Sequence, residues 1–363
     1  EISAALELAH PYDTIFISGG LYKETLLLSF PIRIIGIDSP VIDGGYEDKI
    51  IFIQSSDVYI DNLQIVHSDG DANDAGLFIK QASNITITNC IIHHTKTGIF
   101  LNQSSNVLIN NSWFFHSGNA IRTNQSSNIL IQNCDFARNS MGLLAQYSSD
   151  IDIFYSLFNA NGLSCFFDHS SELSIQQCNI SNNSVNKGGI FFSDSSNILV
   201  TDTLFRHNGV GISFSNVSSV IVNYCNFVKN THFAISFRKA SRQVEISNSS
   251  IQHNIRNGIY IESGNSCKIS HSNVMENAIF SILTKPSVNC IAKNNWWGHP
   301  TGPWYSFITR SNKVSLFQGK VFVSPWQRTS FSSVGIRYNA PKQRYNTTFD
   351  EPISIPCEDV DTD

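Results

Sequence analysis

Residues 102–136 read NQSSNVLINNSWFFHSGNAIRTNQSSNILIQNCDF, and the pentapeptide NQSSN occurs in them twice, 22 residues apart. Units of this length begin at Ala82, Ser104, Ser126 and Ser148, and further copies follow with insertions of one to three residues. Apolar residues alternate in three short segments of each unit, for example at 85–87, 90–92 and 99–101, which predicts three β-strands. A 22-residue period leaves no room for a crossover helix, so the units must coil and stack.

The repeat therefore predicts an all-β fold, a right-handed parallel β-helix with three strands per rung. With rungs about 4.8 Å apart, roughly a dozen of them give a coil about 58 Å long. A leucine-rich repeat is the alternative, because residues 129–136 match the L-x-L-x-x-N/C-x-L part of its motif. However, that motif's leading leucine is Ser126 here, and the rest of the unit contains little helix-forming sequence.

Stacking would place equivalent positions of successive repeat units directly above one another. We expect an internal aromatic stack that includes Phe114, Phe136 and Phe158. An amide ladder is expected at one turn, formed by Asn139, Asn161, Asn183, Asn208, Asn230, Asn254 and Asn277. The cysteines at 90, 134, 178 and 225 would lie two rungs apart, about 9.6 Å, which is too far for disulfides. Cys267 and Cys290 could occupy adjacent rungs.

Composition limits the function classes. The chain has 363 residues, of which 41% are hydrophobic and 15% charged, so it is too apolar to be disordered. The net charge is −5 and the sequence contains no Lys/Arg-rich run, so it does not predict the basic surface that nucleic-acid binding requires. No apolar run approaches the 18 or more residues of a membrane-spanning helix, so we expect no membrane span.

Both ends differ from the repeat. Residues 2–10 have helical spacing and predict an N-terminal cap over residues 1–12, followed by the β-helix over 13–303. Residues 304–363 would form a last strand and a tail or linker. Residues 13–45, the repeats and NNWWGHPTGP at 294–303 resemble the pectin-lyase-like β-helix families, especially NosD-like proteins with carbohydrate-binding and sugar-hydrolysis repeats.

In the families that the chain resembles, polysaccharide binds along the strand that corresponds to the third segment here. Residues that would point outward from it form an aromatic and polar face suited to sugar rings and hydroxyls. Those residues are Phe100, Arg122, Phe166, Phe191, Arg238, Tyr260 and Glu262. We therefore predict a polysaccharide or cell-surface glycan as partner. The alternative is a solvated sheet surface covered by the tail.

A cluster of acidic residues follows the same strand, comprising Asp150, Asp168, Glu172 and Asp194, with His169 beside them. Close carboxylates raise one another's pKa and could act as acid and base, or could hold Ca²⁺ for a uronic-acid substrate. The alternative is that Asp and Glu replace Asn at turns. Asp168 and Glu262 would lie about 19 Å apart, too far for a glycosidase pair.

Two metal sites are also predicted. Asp69, Asp71 and Asp74 lie in an insertion whose spacing resembles the start of a calcium loop, although the closing Glu is missing. His94 and His116 would lie on neighbouring rungs and could bind Cu or Zn.

These features predict a secreted or surface protein that binds polysaccharide and could also process it. If it is an enzyme, it would be a polysaccharide lyase, hydrolase or epimerase. One alternative is a NosD-like periplasmic accessory protein for copper-site assembly, and another is a surface spacer or adhesin without catalysis. The expected location is extracellular, cell-surface or periplasmic.

Overall fold

The computed structural model describes residues 1–47, 49–70, 74–184, 188–263, 267–304 and 317–342. The described chain coils into a parallel β-helix with three sheets and one short N-terminal helix, Ile2–Leu8. The strands of the described residues pair in parallel, and paired residues in the regular rungs are 22 positions apart, as in Ser105 with Ser127. The predicted fold is confirmed, and the leucine-rich repeat alternative is wrong because the third segment of each unit is a strand.

Three sheets run the length of the described coil. The first contains, in order, Thr14–Ile17, Ile32–Gly36, Val58–Asp61, Ser83–Thr88, Ser105–Asn110, Ser127–Gln132, Ser149–Phe154, Ser171–Gln176, Ser196–Thr201, Ser218–Asn223, Arg242–Ser247, Cys267–Ser270, Asn289–Ile291 and Lys320–Phe322. The second contains Leu21–Tyr22, Val41–Glu47, Gln64–Ser68, Ile91–Thr95, Trp113–Phe115, Asp135–Ala137, Leu157–Asn159, Asn179–Ser181, Leu204–Arg206, Asn226–Val228, Ser250–Gln252 and Asn273–Met275. The third contains Leu26–Leu28, Ile51–Ile53, Leu77–Lys80, Thr97–Asn102, Asn119–Asn124, Met141–Gln146, Leu163–Asp168, Gly188–Ser193, Val210–Ser215, Phe233–Arg238, Asn257–Ile261, Phe280–Thr284 and Phe317–Gln318.

Stacked side chains fill the coil. The rings of Phe114, Phe136 and Phe158 stack with centroids 5.0 and 4.4 Å apart, which confirms the predicted column. A second internal stack, which was not predicted, joins Phe167, Phe192, Phe214 and Phe237 on the third sheet. Like residues meet because parallel, in-register rungs repeat the same position at each level.

The asparagine ladder forms as predicted. Asn183 Nδ2, for example, donates to the Phe158 carbonyl (3.1 Å) and to Asn208 Oδ1 (2.9 Å), while its own Oδ1 accepts from the Asn161 backbone N–H (2.9 Å). These bonds satisfy backbone groups that a buried turn would otherwise leave unpaired.

The seven cysteines of the described residues are buried thiols that form no disulfide bond. Cys267 and Cys290 do face each other on adjacent rungs, without a disulfide bond. Burial raises the pKa of Cys90, Cys178 and Cys225 to about 12, so their thiols stay protonated. They act as small core side chains.

The helix Ile2–Leu8 covers the first rung with buried Ile2 and Leu6. The Glu24 carboxylate accepts hydrogen bonds from the backbone N–H groups of Ile2 and Ser3, both 2.9 Å, and so satisfies two groups that the helix start leaves unpaired. No helix among the described residues is long and apolar enough to cross a membrane.

The described part of the tail packs against the coil. Residues 327–342, here called the C-terminal strap, run back along the outside of the coil. Gln327 bonds the Asn295 carbonyl, Phe331 exchanges two bonds with Asn273, and Gly335 bonds the Asn248 carbonyl. Tyr338 donates its hydroxyl to the Cys178 carbonyl at 2.8 Å. The strap therefore ties together successive rungs.

Candidate functional site

The outer surface of the third sheet carries one central column of side chains, since alternate residues of each strand point away from the core. Arg122, Leu144, Phe166 and Phe191 follow one another in this column at successive rungs. The rings of Phe166 and Phe191 stack 5.1 Å apart and remain partly exposed. This pair offers an apolar ledge of the kind that packs against the flat side of a sugar ring.

Phe100 is not available on this surface. It is only 2% exposed, because its ring stacks on Phe78 at 5.1 Å, and Phe52 packs against that ring in turn. The Arg122 guanidinium lies over the other side of Phe100, 4.7 Å from the ring centre, and burial lowers the pKa of Arg122. The prediction of Phe100 as a ligand-stacking residue is therefore wrong.

The C-terminal half of the predicted face is a separate patch. Ser213 and Ser236 separate it from Phe191 and join through a 2.8 Å hydrogen bond. Tyr260 stacks on Phe233 at 5.0 Å. Glu262 forms an ion pair with Lys285 at 3.5 Å.

Asp168, His169 and Asp194 come together where the third-sheet strands end. One donor atom from each lies within 4.8 Å of the others, so the group could hold a cation. Asp168 Oδ1 lies 2.8 Å from His169 Nδ1, which leaves Nε2 as the ring nitrogen available to a ligand.

Asp194 stays ionised. Hydrogen bonds from Asn216 Nδ2 (2.6 Å) and Ser193 Oγ (2.7 Å) lower its pKa. The expectation that neighbouring carboxylates raise one another's pKa is wrong for Asp194, and this residue is unsuited to act as the protonated acid of a hydrolase.

Asp150 and Glu172 belong to a different column. They continue the turn positions of Asn106 and Asn128, and like them they have positive φ, 55° and 52°. Glu172 accepts a 2.6 Å hydrogen bond from Asn197 on the next rung. These contacts support the alternative that acidic residues replace asparagine at this turn.

A groove that the sequence did not predict leads to the Asp168–His169–Asp194 group. It is open and shallow and has a volume of about 670 Å³. Its lining residues are Gln81, Gln103, Gln125, Ser126, Ser127, Tyr147 and Ser149. Gln81 bonds Gln103 at 3.2 Å, and Gln103 bonds Gln125 at 3.1 Å. Tyr147 then stacks on His169 with ring centres 5.0 Å apart. One feature of the sequence could have revealed this groove, namely the last residue of each repeat unit. These residues are Gln81, Gln103, Gln125, Tyr147, His169 and Asp194.

One of the three predicted calcium ligands, Asp74, is paired with a lysine. Asp74 is 3% exposed and pairs with Lys49 Nζ at 3.3 Å, so its carboxylate already faces a cation. Asp69 accepts a 2.9 Å bond from the Gly70 N–H. Asp71 lies outside the described residues.

His94 and His116 do lie on neighbouring rungs, but their rings stack face to face at 5.3 Å, with 10° between the planes. Their in-plane nitrogens therefore do not converge on one point. His93, which was not among the predicted ligands, places its Nδ1 2.6 Å from His94 Nδ1. Burial lowers the pKa of His93 to about 3, so its ring is neutral.

Comparisons agree with this fold. The family model described as "right handed beta helix region" matches residues 48–188 and 166–296, more than half of the chain. No curated protein sequence matches the chain.

Among solved structures, the A-module of the Azotobacter vinelandii mannuronan C-5 epimerase AlgE6 is similar at a TM-score of 0.62 and 13% identity, over 90% of this chain and 94% of that one. Tailspike protein 3 of bacteriophage CBA120 has a TM-score of 0.53 and 13% identity, over 90% of this chain and 59% of that one. Gene product 12 of bacteriophage phi29, in its pre-mature form, has a TM-score of 0.57 and 11% identity, over 84% and 52% of the two chains. At these identities the likeness extends to the fold alone.

Proposed function

Because this chain belongs to the right-handed β-helix family, we propose that it binds an extended polysaccharide along the outside of its coil, in an extracellular, cell-surface or periplasmic setting. The single observation that carries this proposal is the continuity of the groove with the acidic group: stacked amides of Gln103 and Gln125 lead to Tyr147, which stacks on His169. A polymer lying along the coil axis would meet the same kind of side chain at each rung.

Three kinds of side chain lie along this surface. Amide groups can bond sugar hydroxyls, and the Phe166–Phe191 pair lies on the same strands as Asp168 and Ser193. Arg122 lies on the same sheet, two rungs before Phe166, and supplies a cation there. This combination suits a polymer with both hydroxyl and carboxylate groups, for which amides, aromatic rings and a guanidinium each have a role.

If the site is catalytic, His169 is the residue best placed to move a proton. Asp168 bonds its Nδ1 and would stabilise a charged imidazolium, while Nε2 can take or give the proton. Proton abstraction from a uronic acid, as in a lyase or epimerase, fits this arrangement better than hydrolysis, because the nearby Asp194 is held ionised. The mannuronan epimerase among the similar structures belongs to this reaction class.

Glycan binding can be tested by affinity electrophoresis against polyuronates and neutral glucans, with His169→Ala and Phe166→Ala variants. We expect at least one glycan to retard the wild-type protein in the gel. Each variant should bind that glycan about tenfold more weakly, which corresponds to a loss of about 1.4 kcal/mol in binding free energy. Phe154→Ala is the matched control, since Phe154 is a partly exposed ring on the first sheet.

Product analysis by mass spectrometry and NMR on the same mixtures separates binding from catalysis. Turnover that disappears in His169→Ala would identify an enzyme. No retardation by any glycan would contradict the proposal and favour a surface spacer or adhesin.

A further inference from the structure

Four histidines form one cluster at the edge of the second sheet, away from the groove. His67, His93, His94 and His116 come from three successive rungs. The ring of His94 lies 5.9 Å from that of His67, 4.9 Å from that of His93 and 5.3 Å from that of His116. The glycan site proposed above uses none of these residues.

Backbone geometry brings His93 and His94 together. Consecutive side chains of a strand normally point to opposite faces. His94 has a φ of 53°, which interrupts this alternation, so both rings turn toward each other and their Nδ1 atoms approach to 2.6 Å. The two Nδ1 atoms form a hydrogen bond, so one of them must be protonated and donate, and the other must be unprotonated and accept.

His67 is oriented as histidine ligands of metals usually are. Its Nδ1 lies 3.0 Å from Asp43 Oδ1, and its ring stacks on Tyr46 at 4.6 Å. A carboxylate that accepts from one ring nitrogen fixes the tautomer and leaves the lone pair of the other nitrogen free for a metal. The ring of His67 is tilted by 57° to that of His94, unlike the parallel ring of His116.

We propose that His93 and His94 bind a divalent transition-metal ion such as Zn²⁺ or Cu²⁺ through their Nδ1 atoms, with His67 Nε2 as third ligand and Asp43 as the residue that positions it. Imidazole nitrogens suit these metals rather than Ca²⁺ or Mg²⁺. On binding, the proton between the two Nδ1 atoms moves to a ring Nε2, so each ligand stays neutral. The ring of His67 lies 5.9 Å from that of His94, and its contact with Asp43 is kept when Nε2 binds the ion. His116 packs against the site and is not assigned as a ligand.

The site can be tested on the untagged full chain by titration with Zn²⁺ against a chromophoric chelator, and with Cu²⁺ followed by electron paramagnetic resonance. We expect one equivalent of tightly bound metal, with nitrogen hyperfine structure for Cu²⁺. His93→Phe keeps the stacking on Phe115, which is 4.6 Å in the wild type, but removes the ligand nitrogen. This variant and His94→Gln should each bind at least tenfold more weakly, and Asp43→Asn should bind a few-fold more weakly.

Two controls locate the metal. His253→Gln removes a histidine from the same outer column, where it pairs with Glu276 at 3.1 Å, and should bind as wild type does. Asp168→Asn with Asp194→Asn removes the other three-residue donor group and should also leave this equivalent in place. Wild-type binding in His93→Phe and His94→Gln, or a loss confined to the Asp168/Asp194 variant, would overturn the proposal. Circular dichroism and Tm establish that each variant is folded.

Discussion

At the scale of single residues, backbone conformation explains several polar side chains that look functional in the sequence. Asn84, Asn106, Asn128, Asp150, Glu172 and Asn197 occupy one left-handed turn column, with φ between 52° and 58°. Asparagine tolerates this conformation better than most residues. The acidic side chain of Glu172 therefore has a structural explanation in its turn and its bond to Asn197. Asp168 lies at a strand end and bonds His169 instead.

Glu172→Asn should leave glycan binding unchanged. We expect it to stabilise the protein by about 0.5 kcal/mol, because asparagine suits the left-handed turn and can bond its neighbour in the same column, as Asn128 bonds Asn106. Urea unfolding measures the stability, and affinity electrophoresis measures the binding. Asp168→Asn is the comparison and should weaken binding. Loss of glycan retardation in Glu172→Asn would show that Glu172 belongs to the site after all.

At the scale of elements, the C-terminal strap joins rungs that are distant in sequence. Arg337 donates Nε and an Nη to the two oxygens of Asp202, at 2.7 and 2.6 Å, and lies 3.7 Å over the Tyr224 ring. Burial acts to raise the pKa of Asp202, but the bonds from Arg337 and Thr201 outweigh it, and the pKa is lowered. The strap covers part of the second sheet and leaves the groove open, because the two lie on different sides of the coil.

The contribution of the strap to the free energy of unfolding should depend on pH. Since the folded-state pKa of Asp202 lies below its ordinary value of 3.8, its contribution to stability is fully present above that value and is lost as the pH falls through the lowered pKa. Arg337→Met should reduce the free energy of unfolding by about 2 kcal/mol at pH 7, and the difference from wild type should shrink below about pH 3.8.

Tm measured from pH 2 to pH 7 checks this prediction. Lys268→Met removes a solvent-exposed pair with Glu245 and is the matched control, with little expected effect. A difference between Arg337→Met and wild type that stays constant down to pH 2 would contradict the role assigned to Asp202.

At the scale of the whole molecule, the coil is a stack in which each rung contacts mainly its neighbours. Strands pair with those one rung away throughout the three sheets. Stability should therefore approximate a sum over rungs and their interfaces. The helix Ile2–Leu8 covers the first rung of the described coil, which prevents pairing at that exposed sheet edge. At the other end, Phe317–Gln318 and Lys320–Phe322 are the last described strands of the third and first sheets.

Removal of one complete rung should preserve the fold. Deleting residues 104–125 joins Gln103 to Ser126, and the new junction reads NQSSN as both natural ones do. We expect β-sheet circular dichroism and cooperative unfolding with a lower Tm. Deleting residues 104–114, half a rung, should abolish folding because every later side chain changes its column. Comparable folding of the two deletions would contradict the rung model.

The sequence by itself determined the fold, because a 22-residue period with three alternating segments can bury its apolar residues only by stacking parallel strands. It also determined the Phe114 and Asn139 columns, since stacking repeats a position at each level. Tertiary structure alone decided what surrounds each outward residue. Phe100 is covered by Phe78 and Arg122, Asp74 by Lys49, and the second sheet by the strap. The period gives the direction of a side chain, whereas its exposure, its partners and the pKa of its acidic group depend on neighbouring columns and on a strap outside the repeat.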